Sequence, residues 1–232
     1  MKASIIIRVK NEEKWLPSVL EMLEKQTEQD FEVILVDDHS IDKTVNIFNK
    51  SRIKEKRIIN FEKPFNYPYA ANLGAKNAKG KYLFFLSGHS VPDSRKFIES
   101  GIKHLKNEGV AGVHGWCTSL SDASLTEKAF YHFAKYYKKT KIHKKIRMGV
   151  LGLTNAGIRK DLWEEYNFNE EHFSKGGEDT EWAGHFMNKG YKIIFEPEML
   201  VYHSHGIGLL KFIKQYLHWA EVGKRAILFN KE

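Results

Sequence analysis

Cysteine is nearly missing from this sequence: Cys117 is the single one in 232 residues. One thiol rules out an internal disulfide and, with no Cys-x-x-Cys pair, a thiolate zinc site; the usage fits a reducing compartment. Long apolar runs are missing too. Ile5-Ile6-Ile7 is too short for a signal-peptide core and is interrupted by Arg8. No run approaches the roughly 20 residues needed to cross a bilayer. These absences predict a cytoplasmic protein that does not span a membrane. No G-x-G-x-x-G follows the first apolar run, which argues against a dinucleotide site. No G-x-x-x-x-G-K-[ST] is present either, which argues against a P-loop kinase or ATPase.

What is present is ordinary globular material. Hydrophobic residues make up 42% and charged residues 28% of the chain, a balance that supports a buried core rather than disorder. The formal charge is +8 and the pI is near 9.3. Such an excess fits nucleic acid, anionic lipid or a phosphorylated ligand. Much of it lies between Lys135 and Arg147. That stretch carries no nucleic-acid recognition module and reads as a solvated face, so no nucleic-acid partner is expected.

Apolar runs alternate with amphipathic stretches through the first half. Ser4–Val9, Phe31–Val36 and Tyr82–Leu86 have the continuous apolar character of strands buried on both faces of a parallel sheet, with Arg57–Phe61 and Val110–His114 as weaker companions. Helical patterns run from Asn11 through Leu23, over Tyr69–Ala78 with Gly80 as a left-handed stop, and over Ser94–Asn107. Ser40 or Asp42 is placed to cap a further helix after the second strand. This alternation predicts an α/β fold with a doubly wound, mostly parallel sheet flanked by helices. The second half is less regular. A helix is expected over Ser124–Tyr137, a strand over Leu153–Arg159, a helix over Glu178–Lys189 and short strands over Ile193–Phe195 and Leu200–His203. A last amphipathic helix, Gly208–Phe229, sets Leu209, Leu210, Ile213, Tyr216, Leu217 and Ala220 on one face.

Ligands of an open parallel sheet collect at the carboxyl ends of its strands. Those ends read Val9-Lys10-Asn11, Asp37-Asp38 and Ser87-Gly88-His89. Acids in turns are common for structural reasons alone, but a carboxylate at a buried strand end can also accept hydrogen bonds from a ribose or a base. Glu178-Asp179 is open to the same two readings. First-turn acids are stabilised by free N–H groups and the helix dipole, while Gly176-Gly177 just before them gives a flexible approach that lets a carboxylate face a substrate. His203-Ser204-His205 would place two imidazoles on alternate faces of a continuing strand, one reaching a pocket and the other packing.

Taken together, these segments resemble glycosyltransferase family 2, the inverting transferases of the GT-A fold. The likeness rests on Ser4–Glu12, Val36-Asp37-Asp38-His39-Ser40-Ile41-Asp42-Lys43-Thr44, Ala71-Asn72-Leu73-Gly74-Ala75, Ala78–Tyr82, Gly177-Glu178-Asp179 and Val201–His205. Any one is weak; all in the family's order are specific. The chain is most similar to the branch of bacterial polysaccharide and O-antigen transferases, some of them rhamnosyltransferases. The family as a whole usually ends its fourth strand in a cation-binding Asp-x-Asp. Here that slot reads Ser87-Gly88-His89, and this, with Arg8 and Lys10 in place of the commoner Pro and Tyr or Phe, is the feature similar to that branch.

The resemblance implies a glycosyltransferase domain over residues 1–206, with a nucleotide-binding half over 1–115, an acceptor-binding half over 116–206 and an appended amphipathic helix over 207–232. The donor would be a nucleoside-diphosphate sugar held by Arg8, Val9, Lys10, Asn11, Glu12, Asp38, Asn72, Ser87, Gly88 and His89. Asp179 would be the catalytic base with Glu178 beside it, and Trp182 and Asn155 would meet a glycan or lipid-linked acceptor. A divalent cation, Mn²⁺ or Mg²⁺, would have His89, His203 and His205 as its protein ligands. The basic stretch and last helix would allow peripheral contact with an anionic membrane. The alternative function is a non-catalytic nucleotide-sugar- or glycan-binding relative of the same fold.

Overall fold

The computed structural model describes residues 1–231. In chain order the elements of the first half are β1 (Ala3–Val9), α1 (Leu16–Glu24), β2 (Phe31–Asp37), α2 (Thr44–Lys50), β3 (Lys56–Asn60), α3 (Tyr67–Lys76), β4 (Tyr82–Ser87), β5 (Val91–Pro92), α4 (Phe97–Leu105) and β6 (Val110–His114). The second half supplies β7 (Cys117–Thr118), α5 (Leu125–Tyr131), a 3-10 turn over His132–Tyr136, β8 (Lys141–Ile142) and β9 (Asn155–Arg159). It continues with α6 (Lys160–Glu165), α7 (Glu178–Asn188), β10 (Lys192–Phe195), β11 (Val201–Tyr202) and α8 (Leu209–Phe229).

Eight strands form one sheet in the order β3-β2-β1-β4-β9-β6-β10-β8, and β5, β11 and β7 form a small second sheet. Strand β1 sits between β2 and β4, parallel to both. Its alternation feeds two cores: Ile5, Ile7 and Val9 pack with α1 and α4 on one side, and Ile6 packs with α3 and α7 on the other. That double burial is why the central strands read as unbroken apolar runs.

The structure adds detail to two expectations and corrects a third. The strand predicted near Leu153–Arg159 is antiparallel, inserted between β4 and β6, because the preceding loop leaves the chain at the carboxyl end of its neighbours. The basic stretch is not wholly loop: Lys141–Ile142 adds an edge strand to β10. Gly80 is absent from the left-handed glycines. Glycine is required there by close approach, since a Cβ would lie 2.3 Å from the carbonyl carbon of Ala3 and 2.5 Å from the nitrogen of Ser4.

The helix after β2 is also begun differently. Lys43 is its N-cap residue, without a side-chain bond. Ser40, Asp42 and Thr44 reach across to the loop after β1 and accept from the backbone N–H groups of Asn11, Glu13 and Glu12 at 2.9, 3.0 and 2.7 Å. Asn11 returns the contact, its side-chain oxygen accepting from Ile41 N at 2.9 Å. Two loops at the carboxyl edge of the sheet thus become one rigid rim.

Gly80→Ala forces apart the backbone of β1 and the turn before β4. We expect a loss of about 1–3 kcal/mol, the usual cost of an overpacked site, read as a lower urea midpoint at unchanged slope. A midpoint equal to wild type would show that the turn yields freely.

Candidate active site

Register alone brings the first group of site residues together. Val9 lies opposite Asp37 and Arg8 opposite Ser87, so the carboxyl ends of β1, β2 and β4 open on one cleft. A cavity of about 580 Å³ occupies it, walled by Arg8, Val9, Lys10, Glu12, Asp38, Phe61, Phe65, Tyr67, Ser87 and His89, with His203 and His205 on the far side. The two adjacent acids divide their work. Asp37 closes its own turn, accepting from Ser40 N at 3.1 Å and Ser40 Oγ at 2.5 Å. Asp38 faces the cleft and pairs with Lys10 Nζ at 2.8 Å.

Beside it lies a second cavity of about 370 Å³ that contains Glu178 and Asp179. Arg8, Tyr67, Thr154, Gln215 and Trp219 belong to the walls of both, so the two spaces form one continuous site with Arg8 at the junction. The Arg8 guanidinium donates to the Leu153 carbonyl at 2.8 Å, and its Nε is buried without a partner.

The local chain explains why two acids meet there. Gly177 precedes α7 in a left-handed conformation, with φ of +95°. A side chain there would also lie 2.9 Å from the Val222 carbonyl of α8. The turn therefore delivers Glu178 and Asp179 into the first turn of α7 while pressed against α8. Glu178 is buried and Asp179 half-buried.

Burial, and then the charge of Asp179, push the Glu178 carboxyl up to about 8, with Arg8 acting in the opposite direction. Burial raises Asp179 as well, but the N–H groups of Thr180 (2.6 Å) and Leu153 (3.4 Å) and the charge of Arg8 favour its ionised form. Of the two, Asp179 is the carboxyl that accepts from backbone N–H groups, a setting that favours the ionised form a general base needs.

The three histidines are brought together, contrary to the expectation that one of them would pack away. The chain leaves regular strand after Tyr202, so the period-2 alternation no longer applies. Their ring centroids lie 4.5 Å (His89–His203), 5.1 Å (His89–His205) and 4.8 Å (His203–His205) apart. One ligating atom from each falls within 4.8 Å of the others.

His89 Nδ1 bonds Glu12 Oε1 at 2.7 Å while its Nε2 is buried without a partner, the carboxylate–imidazole arrangement that orients a metal ligand. His203 Nδ1 faces Ser87 Oγ and Ser90 Oγ at 3.2 and 3.1 Å. Burial lowers the pKa of His203 and of His205, which keeps imidazole neutral for ligation. These residues fit a cation, and three imidazoles favour later first-row ions over Mg²⁺.

Several expected contacts fall elsewhere. Trp182 is fully buried and its Nε1 donates to the Tyr166 carbonyl at 2.7 Å, so it is core rather than acceptor surface. Asn155 is buried, its amide donating to the carbonyls of Trp116 (2.9 Å) and Met199 (3.1 Å) beside the small sheet. Asn72 spends its amide on Phe168 O and Glu170 Oε1 and its oxygen on Trp163 Nε1. Asn11 belongs to the loop rim, and Gly88 is there because a Cβ would meet Glu12 Cγ at 2.5 Å.

Other walls were missed. Phe65 and Tyr67, both exposed, form an aromatic corner with rings 4.8 Å apart. Gln215, Trp219 and Val222 come from α8. Their spacing of four and three was the available signal: a second helical stripe beside the apolar one.

The family model described as Glycosyl transferase family 2 matches residues 4–166, well over half of the chain. The dolichyl N-acetyl-alpha-D-glucosaminyl phosphate 3-beta-D-2,3-diacetamido-2,3-dideoxy-beta-D-glucuronosyltransferase of Methanococcus voltae is 26% identical over 238 residues, covering 93% of this chain and 71% of its own. The O-antigen chain rhamnosyltransferase RfbN of Salmonella typhimurium is 27% identical over 213 residues, 88% of this chain and 67% of the other. Among solved structures, mannosyltransferase PcManGT from Pyrobaculum calidifontis, in complex with GDP-Man and Mn²⁺, aligns with a TM-score of 0.74 at 16% identity, over 97% of this chain and 64% of its own. The chain therefore spans roughly two thirds of each of these proteins, and the last of them shares its fold.

The raised Glu178 carboxyl has a consequence for stability. The folded protein holds this proton between its ordinary value of 4.5 and about 8, where the unfolded chain has lost it. Stability therefore falls as pH rises through that window. Glu178→Gln removes the penalty, so the variant's gain in Tm over wild type should grow from pH 5 to pH 8.5. Each kcal/mol moves Tm by about 2–4 °C at this chain length. A difference that does not change with pH would place no proton on this pair.

Proposed function

The chain belongs to glycosyl transferase family 2, and on that premise we propose that it transfers a sugar, with inversion, from a nucleoside-diphosphate sugar to a hydroxyl of a glycan or lipid-linked acceptor in cell-surface polysaccharide synthesis. The observation that carries the reading is the junction at Arg8, where a cleft lined by strand ends opens directly on a chamber holding two carboxylates.

The donor occupies the strand-end cleft. Asp38 is available to ribose hydroxyls, and the exposed ring of Phe65 offers a stacking face for the base. The diphosphate lies toward His89, His203 and His205, with Lys10 and Arg8 supplying positive charge. A divalent cation bound by those histidines would stabilise negative charge on the leaving diphosphate. The acceptor enters beside Asp179, between the Met148–Thr154 loop and α8. Residues 1–115, joined by His203 and His205, thus serve the donor, and the other later residues, with α8, serve the acceptor.

Asp179 removes the proton from the acceptor hydroxyl. The oxygen attacks the anomeric carbon as its bond to the diphosphate oxygen breaks, and the nucleoside diphosphate carries away the electron pair. Glu178, holding its proton, keeps the chamber's charge low enough for Arg8 to balance. A binding-only relative would have no use for an ionisable pair kept in a shared cavity, so the carboxylates favour the enzyme. The name of the Methanococcus relative describes action on a dolichyl-linked sugar phosphate, which supports a lipid-linked acceptor here.

Asp179→Asn should lower transfer by about 10²–10⁴-fold, the usual cost of losing a positioned base, with nucleoside-diphosphate affinity within about threefold of wild type. Turnover near the wild-type rate by the folded variant would move the base elsewhere.

The cation is tested without turnover. With a nucleoside diphosphate present, Mn²⁺ should raise the Tm of the wild-type chain more than Mg²⁺ does, since a ligand of the native state stabilises it by mass action. His89→Ala should abolish most of that difference. An equal response in the variant would clear His89 of ligation.

A further inference from the structure

Helix α8 is apolar on the wrong side for a helix that only packs. Residues spaced by three and four, Leu209, Ile213, Tyr216 and Ala220, share one face with Leu210 and Leu217 at its edge. The face buried against the domain is a different one, built from Phe212, Gly223 and Ala226, with Gln215, Trp219 and Val222 at the site. The first stripe is left outward: Leu209, Leu210 and Leu217 are 59%, 78% and 63% exposed.

The stripe continues onto a second element. Phe130 of α5 packs its ring edge against Phe212 at 5.0 Å and Tyr216 at 6.1 Å while remaining half exposed. Leu125, Phe133 and Tyr136 are open to solvent nearby in the chain. Apolar patches that gather several large side chains from adjacent elements mark interaction surfaces.

The charge beside the patch selects the partner. Between Lys128 and Arg147 there are eight Lys and Arg residues and no acid, and all eight are exposed. Lys214 borders the stripe beside Leu210 and Leu217, and both it and Lys211 on the same helix are exposed. In a symmetric dimer formed through this patch the basic segments of the two copies would lie close together and repel. An anionic lipid surface takes both components, the apolar side chains at the acyl boundary and the lysines among the headgroups. Among the described residues no helix is long and apolar enough to cross a membrane, so contact would be along the surface.

We propose that the outward stripe of α8, with the exposed aromatic face of α5 and the turn after it, is the seat of this protein on an anionic bilayer. The stripe and the carboxylate chamber lie on different faces of the same helix. A bilayer on one face therefore stands within about 10–12 Å, one helix diameter, of the other.

The test is co-sedimentation of the full chain with vesicles of phosphatidylcholine alone and of phosphatidylcholine mixed with phosphatidylglycerol. Binding should be at least about tenfold stronger to the anionic vesicles and should fall as salt is raised. Leu210→Glu with Leu217→Glu should reduce it at least tenfold, as should Lys138→Glu with Lys139→Glu. These positions are exposed, so thermal midpoints near wild type will certify that both variants fold. The readout involves no sugar transfer and stands apart from the proposed reaction. Absence of binding, equal binding to both vesicle types, or undiminished binding by the folded leucine variant overturns the proposal. So does a lipid-free dimer that the leucine variant converts to monomer, which would assign the patch to a second copy.

Discussion

The charge of one buried guanidinium, felt by two carboxylates in the same cavity, organises this molecule. Arg8 stands at the end of the central strand, and burial works against its charge while Glu178 and Asp179 support it. Burial likewise works against the charge of each carboxylate, and Arg8 opposes that effect in both. Three charges placed so cannot all be satisfied as ions. A proton kept on Glu178 lowers the negative charge that Arg8 has to offset, the usual outcome when two acids share one site. The arrangement ties the sheet to α7 electrostatically and leaves a carboxylate facing a cavity.

Rigidity of the opposite wall comes from hydrogen bonds that sequence-level thinking assigns to other roles. The polar residues after β2 read as helix caps, and Asp42 does accept from the first-turn N–H of Thr44 at 2.9 Å, but Ser40, Asp42 and Thr44 also bind the backbone of the loop after β1. Asn11 and His39 take left-handed conformations, with φ of 56° and 54°, and Asn11 is among the residues that tolerate this best. Fixing both loops in advance fixes where Lys10, Glu12 and Asp38 stand. Glu12 in turn orients His89, so the histidine cluster inherits its geometry from the same rim.

The parts of the fold that were legible in the sequence are those whose physics is local or periodic. Ile5–Ile7, Val33–Val36 and Leu83–Leu86 could be assigned to a doubly covered sheet because they are short, continuous, rich in branched and aromatic side chains and bounded by turn residues. The strand ends and the Gly-Gly-acid step led to residues that line two adjoining cavities. The direction of β9 was not legible, because Asn155–Arg159 carries no mark of orientation and depends on where the preceding loop leaves the chain. Trp182 was misread since residues close in sequence to Glu178 and Asp179 include ones that face the core, and helix period puts it on the inner side of α7. Asn155 was misread since its amide is taken up by the carbonyls of Trp116 and Met199. Phe65 and Trp219 were missed because one lies in an irregular segment and the other beside an apolar stripe that drew the eye.

That stripe also reverses an ordinary inference. Amphipathic helices are read as burying their more apolar face, and by that rule Leu209, Ile213 and Leu217 should point inward. They do not, because α8 meets the domain through a narrower set of contacts. Gly223 admits Met148, whose Cγ would lie 2.6 Å from a Cβ at that position. The Val222 carbonyl lies so close to Gly177 that only glycine fits there. Contacts this close need small residues and exposed backbone on the helix, not bulky aliphatic side chains, so the packing face scores as the less apolar of the two. The same close approach holds the turn before Glu178 and Asp179 in place. Displacing α8 would therefore release the glycine turn and the two carboxylates with it, which couples whatever contacts the outer face of the helix to the geometry of the site on its inner face.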